Sequence, residues 1–177
     1  MIRLHLGCGP KYIPGWLHVD VADYPHVTIR HAIDSLPMIL DGTVETIYIC
    51  HAFEHFMRRE APRVLREWYR VLAPRGVLRL AVPDFAAITA HYQEHHDLAA
   101  VWGLLFGRQD GLYGFHHAVW DYTALEQVLF DAGFTRIKRY DWRETEHAWL
   151  DDYSQAYLPH MDKEHGRLMS LNIEAAK

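Results

Sequence analysis

Cysteine is scarce in this chain of 177 residues: only Cys8 and Cys50 are present. Two thiols cannot build the disulfide framework of a small secreted domain, so a reducing, cytoplasmic setting is expected. Long apolar runs are also missing, and nothing approaches the roughly 18 residues that a membrane helix requires. The opening MIRLHLGCGP has no charged leader followed by an apolar stretch, so export is not expected either. Positive charge is in deficit, with 18 Lys plus Arg against 23 Asp plus Glu and a formal net charge of −5. Phosphate backbones are gripped by clustered Lys and Arg, so nucleic acid is not an expected partner.

Apolar residues, by contrast, make up half of the chain, as in ordinary globular proteins. A chain of this length buries roughly 70% of the surface that its unfolded form exposes and needs no metal or disulfide to hold a core. With no repeat, low-complexity tract or linker composition, a single domain over residues 1–177 is expected. Histidine is unusually frequent, at 14 residues, but scattered.

Short runs with strand character occur at residues 2–6, 17–21, 27–31, 45–50, 76–82, 134–140 and 167–175. Between the fourth and fifth lies a helical stretch over 60–72, where Ala61, Val64, Leu65, Trp68 and Leu72 repeat at helical spacing and Pro62 falls in the first turn. Two more helical stretches are predicted over 85–106 and 122–132, with Gly133 ending the second. Strands alternating with helices argue for an α/β fold with a mostly parallel sheet. The last two strands, separated by an insert over about 143–166, are candidates for antiparallel pairing.

The N-terminal half is short of helices. Ten residues separate the first two strands and five separate the second from the third, too few for crossover helices. Arg3, His5, His18, Thr28, Arg30 and Arg79 also alternate with apolar neighbours, where a sheet buried on both faces would read as continuous Val, Ile and Leu. One sheet face is therefore expected to be partly polar, covered by the 143–166 insert, by a second subunit in a homodimer, or by water.

Two sequence features point to a ligand. Gly7-Cys8-Gly9 follows the first strand, and Asp20 closes the second. Glycines after a strand let a ligand approach the backbone closely, and a carboxylate at the end of the neighbouring strand can accept both hydroxyls of a ribose. A plain turn for the glycines and a loop cap for Asp20 are the alternatives. The spacing to Asp20 is about half of what a nicotinamide-binding fold expects.

LHLGCGP with GWLHVDV, Asp34-Ser35-Leu36-Pro37, the block Asp41 to Tyr48, HAFEHF (His51 to Phe56), LREWYRVLAPRG (Leu65 to Gly76), Val82-Pro83-Asp84 and Asp131-Ala132-Gly133-Phe134 follow one another over most of residues 4–140. In this order they resemble the class I S-adenosylmethionine-dependent methyltransferases, and within them a group of small predicted methyltransferases of type 11. The resemblance implies a Rossmann-like sheet of seven strands with a reversed last strand, binding S-adenosylmethionine across the ends of the first four. It places the backbone of Gly7, Cys8 and Gly9 at the methionine part and Asp20 at the ribose. Asp34, Ser35 and Leu36 fall at the adenine, and His51 near the sulfonium. The family's third motif glycine and the helix behind it are absent, so a cofactor carboxylate would have no helix dipole to rest on. Arg75 replaces the commoner glycine of a Pro-Gly-Gly turn.

His51-Ala52-Phe53-Glu54-His55 also matches H-x-x-E-H, a zinc-ligand pattern that needs both histidines on one helix face. Because the motif directly follows a strand, Glu54 and His55 are read instead as capping and orienting groups, with no metal expected. Tyr113-Gly114-Phe115-His116-His117 forms a Gly-flanked aromatic segment suited to closing over an acceptor. The insert residues Trp142, Trp149, Tyr153 and Tyr157 are read as packing over the sheet.

In-line transfer to a small-molecule acceptor needs positioning above all. Where the acceptor must lose a proton, His51, His116 and His117 are the candidate bases, in that order. Two further functions fit the sequence: a catalytically inactive binding or dimerisation module of methyltransferase type, and a zinc hydrolase acting through His51, Glu54 and His55.

Overall fold

The computed structural model describes residues 2–177. Strands β1 (Ile2–Leu6), β2 (Leu17–Asp20), β3 (Ile29–Arg30), β4 (Val44–Cys50) and β5 (Leu72–Pro83) are followed by β6 (Thr135–Arg139), β7 (Tyr157–Leu158), β8 (Arg167–Leu168) and β9 (Ser170–Ala176). Seven of them form one sheet in the order β3-β2-β1-β4-β5-β9-β6. The pairs among β1 to β5 are parallel, while β9 runs antiparallel to both β5 and β6. This is the Rossmann-like α/β sheet with a reversed last strand that the sequence predicts. No helix is long and apolar enough to cross a membrane among the described residues.

The helices Ala61–Val71 and Tyr122–Asp131 share one face of the sheet, while the two helices between β5 and Tyr122 pack apart from them, against Met169 and Leu158. In α1 (Ala61–Val71) the buried residues Ala61, Val64, Leu65, Trp68 and Val71 follow the helical repeat and face the sheet. Pro62 stands in the first turn, where no backbone donor is missed. The helix gives way to β5 because Pro74 drives the residue before it out of the helical region. α4 (Tyr122–Asp131) is capped by Asp121, which accepts from the Ala124 N–H at 2.8 Å. Gly133 follows it with φ of 103°. Both helices pack on Leu4, Leu6, Val19, Ile47, Ile49, Leu78 and Leu80 in one apolar core.

The predicted helix over 85–106 is two helices, α2 (Phe85–His95) and α3 (Leu98–Phe106). Asp97 breaks the run by capping α3 through the Ala100 N–H, and His96 takes a left-handed turn with φ of 52°. The predicted strand over 167–175 is likewise divided: β8 pairs with β7 as a separate ribbon, and β9 joins the main sheet.

The opposite sheet face is polar, and the 143–166 insert covers it. Tyr48 donates to Asp152 at 2.7 Å, Asn172 donates to the Ser154 carbonyl at 2.9 Å, and Arg79 pairs with Glu146 and Glu174. The His147 ring sits 4.1 Å from Tyr48, and Leu150 packs with Trp16 and Ile13. A second subunit is therefore not needed to cover this face.

Candidate functional site at the carboxyl edge of the sheet

In open α/β sheets ligands bind beyond the carboxyl ends of the strands. Here that edge carries two clusters. The first begins where β1 turns. Gly7 and Gly9 have φ of 62° and 52°, conformations that cost other residues about 1–2 kcal/mol. Gly7 is also sterically required, since a Cβ there would stand 2.8 Å from that of Ala52. At Gly9 a Cβ would meet nothing within 4 Å, so the turn opens onto free space on that side.

Asp20, at the end of β2, braces this turn. Its Oδ2 accepts the Gly9 N–H and its Oδ1 the Ala22 N–H, both at 2.8 Å. Each oxygen keeps lone-pair capacity beyond those bonds, and the pair of oxygens beside an open glycine suits a vicinal diol. Cys8 is buried between them, and burial, reinforced by the nearby Asp20 charge, pushes its thiol up to about 12. It remains an unreactive thiol. His26, not singled out from sequence, hydrogen-bonds the Gly9 carbonyl at 3.0 Å and holds the far side of the turn. No helix follows the turn before β2, as the missing third glycine foretold.

The 33–36 segment is pinned by α1. Trp68 donates to the Ile33 carbonyl at 2.7 Å, and the Leu36 N–H donates to Glu67 at 2.6 Å. Ile33 is the member that reaches the glycine turn, its Cδ1 lying 3.4 Å from a Cβ built on Gly7. The Asp34 carboxylate is engaged by Arg63 at 2.6 Å, Ser35 is exposed, and Leu36 lies in the apolar core.

The second cluster starts at the end of β4. His51 has φ of 51°, a strained conformation for a residue with a Cβ. Its Nε2 lies 3.1 Å from Ser170 Oγ, and its Nδ1 lies 3.5 Å from Glu54 Oε1. Burial, then the neighbouring His116 and His55, lowers its pKa to about 3, so the ring is neutral near pH 7.

A short 3-10 helix, Phe53–His55, carries Glu54 inward. Its side chain is 1% exposed, neither carboxylate oxygen has a hydrogen-bond partner, and burial pushes its pKa up to about 8. The H-x-x-E-H residues thus do not lie within one α-helix, and His51 turns one ring nitrogen to Ser170 rather than to His55.

His116 comes to Glu54 through backbone bonds. The Glu54 carbonyl accepts the N–H groups of His117 at 2.8 Å and Ala118 at 3.2 Å, and the His116 N–H donates to the Phe106 carbonyl. Gly107 and Gly114 make this path possible, because a Cβ on Gly107 would lie 2.2 Å from the Gly114 carbonyl oxygen. His116 Nε2 ends 3.8 Å from Glu54 Oε1, and burial lowers its pKa to about 4. His117 is exposed beside it. The structure therefore gathers His51 and His116 around Glu54 and leaves His117 facing solvent.

Known proteins that this chain resembles include methyltransferases. A family model described as a methyltransferase domain matches residues 17–80. A SAM-dependent methyltransferase from Archaeoglobus fulgidus superposes with a TM-score of 0.60 at 14% identity, over 99% of this chain and 85% of that one. An S-adenosylmethionine-dependent methyltransferase from Mesorhizobium loti superposes with a TM-score of 0.58 at 16% identity, over 99% and 90% of the respective chains. At these identities the likeness is one of fold. No curated protein sequence matches.

Proposed function

From a chain that has the class I methyltransferase fold and matches the methyltransferase domain over residues 17–80, we propose an enzyme that binds S-adenosylmethionine at the Gly7–Gly9 turn and methylates a small-molecule acceptor. The observation that carries this is the pairing of an open left-handed glycine turn with Asp20 at the carboxyl ends of adjacent parallel strands. The residues present fit the cofactor: the carboxylate has spare acceptor capacity, Gly9 adjoins open space, and Ile33 supplies an apolar edge.

When bound, the cofactor supplies an electrophilic methyl on a sulfonium, displaced in line. The chain's part is to hold two reactants at attack distance and keep water out. Asp20 fixes the ribose and, through the Gly9 N–H, the turn that meets the methionine part. His51 stands neutral at the end of β4, where a sulfonium is better tolerated than beside an imidazolium. For an acceptor that must lose a proton, His117 suits the task better than His51 or His116, because it is exposed whereas burial makes the other two weak bases.

A thermal-shift titration tests the assignment. S-adenosylmethionine and S-adenosylhomocysteine should each raise the melting temperature with saturation in the micromolar range, because a ligand that binds only the folded state stabilises it. No shift with either would overturn it.

A further inference from the structure

We infer that Glu54, His55 and His116 form a binding site for one divalent first-row transition-metal ion. The inference does not rest on methyl transfer and stands on three observations.

The first is geometry. One donor atom from each of the three residues lies within 4.8 Å of the others. Two donors about 2.1 Å from a common ion are about 3.4–4.2 Å apart, so closure requires only small side-chain rotations.

The second is the state of the imidazoles. His55 Nδ1 lies 2.8 Å from the Phe115 carbonyl oxygen, and His116 Nδ1 lies 3.0 Å from the Leu104 carbonyl oxygen. A carbonyl only accepts, so each Nδ1 carries the proton and each Nε2 is the unprotonated ring nitrogen. Metal-binding histidines are oriented in this way, with the second nitrogen donating to a backbone carbonyl. The two rings meet edge to face with centroids 4.9 Å apart, and His116 Nε2 points at Glu54.

The third is Glu54 itself. It is 1% exposed with both carboxylate oxygens unpartnered. A buried carboxylate without a donor is costly, and the nearest side-chain nitrogens, those of His51 and His116 at 3.5 and 3.8 Å, are too distant for hydrogen bonds. A cation held between the oxygens and the two Nε2 atoms removes that cost. Two imidazoles and a carboxylate select a transition ion such as Zn²⁺ or Co²⁺ over Mg²⁺ or Ca²⁺, which take oxygen ligands. Three protein donors leave at least one coordination position for an exogenous oxygen or nitrogen.

Removal of bound metal with a chelator followed by titration with Co²⁺ tests this in the whole protein. One equivalent should bind, with d–d absorption bands of a nitrogen- and oxygen-ligated ion, and an equivalent of Zn²⁺ should displace it. Paramagnetic broadening in the wild-type protein should fall on the ring signals of His55 and His116 and spare His165, whose side chain is 82% exposed. This readout needs no variant to fold. Glu54→Gln and His116→Ala should each weaken Co²⁺ binding by more than about 100-fold, beyond the effect typical of a second-sphere change, while His165→Ala should leave it unaltered. The inference is overturned by the absence of stoichiometric Co²⁺ binding, by binding that survives Glu54→Gln and His116→Ala, by broadening centred elsewhere, or by displacement with equimolar Mg²⁺.

Discussion

Two clusters on one sheet edge are built by opposite means. At residues 7–20 the backbone makes the proposed cofactor site: two left-handed glycines and one carboxylate that holds the turn in place through the Gly9 and Ala22 N–H groups. At Glu54, His55 and His116 the side chains make it, and the backbone only delivers them, through the bonds from His117 and Ala118 to the Glu54 carbonyl. The first cluster is satisfied as it stands, with each Asp20 oxygen accepting a hydrogen bond. The second is left with a buried carboxyl group whose two oxygens have no hydrogen-bond partner. A cluster made of backbone can be complete and still open to a ligand, whereas a cluster of buried side-chain donor atoms without partners is incomplete until a ligand arrives.

The largest effect that separates the two is expected from Gly7→Ala. The added Cβ would lie 2.8 Å from that of Ala52 and would force a left-handed alanine. Strain of about 1–3 kcal/mol should cut S-adenosylmethionine affinity by at least about fivefold, as calorimetric titration would show. Retention of wild-type affinity would break the claim that the turn is the binding element. His116→Ala should work in the opposite sense, abolishing tight Co²⁺ binding while changing S-adenosylmethionine affinity by no more than about threefold, or less than 1 kcal/mol. A parallel loss of both ligands would mean that the two clusters are one site.

A smaller effect concerns the scaffold behind both. His5 is buried on the polar sheet face, and burial first, then His18 and other histidines, lowers its pKa from 6.5 to about 3. Below pH 6.5 the unfolded chain binds a proton there that the folded chain refuses, so this contribution to stability is complete above pH 6.5 and is lost progressively toward pH 3. His5→Phe removes the titrating group. Its urea midpoint, compared with wild type, should improve on going from pH 7.5 to pH 5, and an unchanged difference would show that His5 does not titrate in this way. The smallest effect is expected from Arg75→Gly. Arg75 is exposed and has φ of 69°, so glycine should raise stability by up to about 1 kcal/mol, measured by denaturant unfolding.

The same contrast explains what was legible in the sequence. The glycine turn and Asp20 are local features: a short strand, a Gly-x-Gly and a carboxylate at the end of the next strand can be read without knowing the fold. Helix α1 is equally plain, because Ala61, Val64, Leu65 and Trp68 repeat without interruption. The division at Asp97 is harder to read, since apolar residues continue on both sides and only the capping carboxylate marks the break. β5 starts at Leu72, earlier than its apolar run suggests, because Leu72 already pairs with Val44.

The second cluster was half visible. His51-Ala52-Phe53-Glu54-His55 carries metal-binding residue types, but its spacing shows only His51, Glu54 and His55, whereas the fold also brings His116 to Glu54 and His55. That partner depends on how a loop closed by Gly107 and Gly114 returns to β4, which no local pattern encodes. The role of the 143–166 insert is a similar case. The alternation of polar residues on the strands shows that one sheet face needs a cover, and only the contacts of Asp152, Ser154, His147 and Leu150 show that the chain supplies it.

Asp20 and the glycine turn are proposed to hold the cofactor's nucleoside. Calorimetric titration of S-adenosylhomocysteine into the wild-type protein and into Asp20→Ala tests this most directly. One site of micromolar affinity, weakened roughly 10- to 100-fold by loss of hydrogen bonds to a charged group, is the predicted result. Equal affinity in both proteins, or no binding to the wild type, would contradict it.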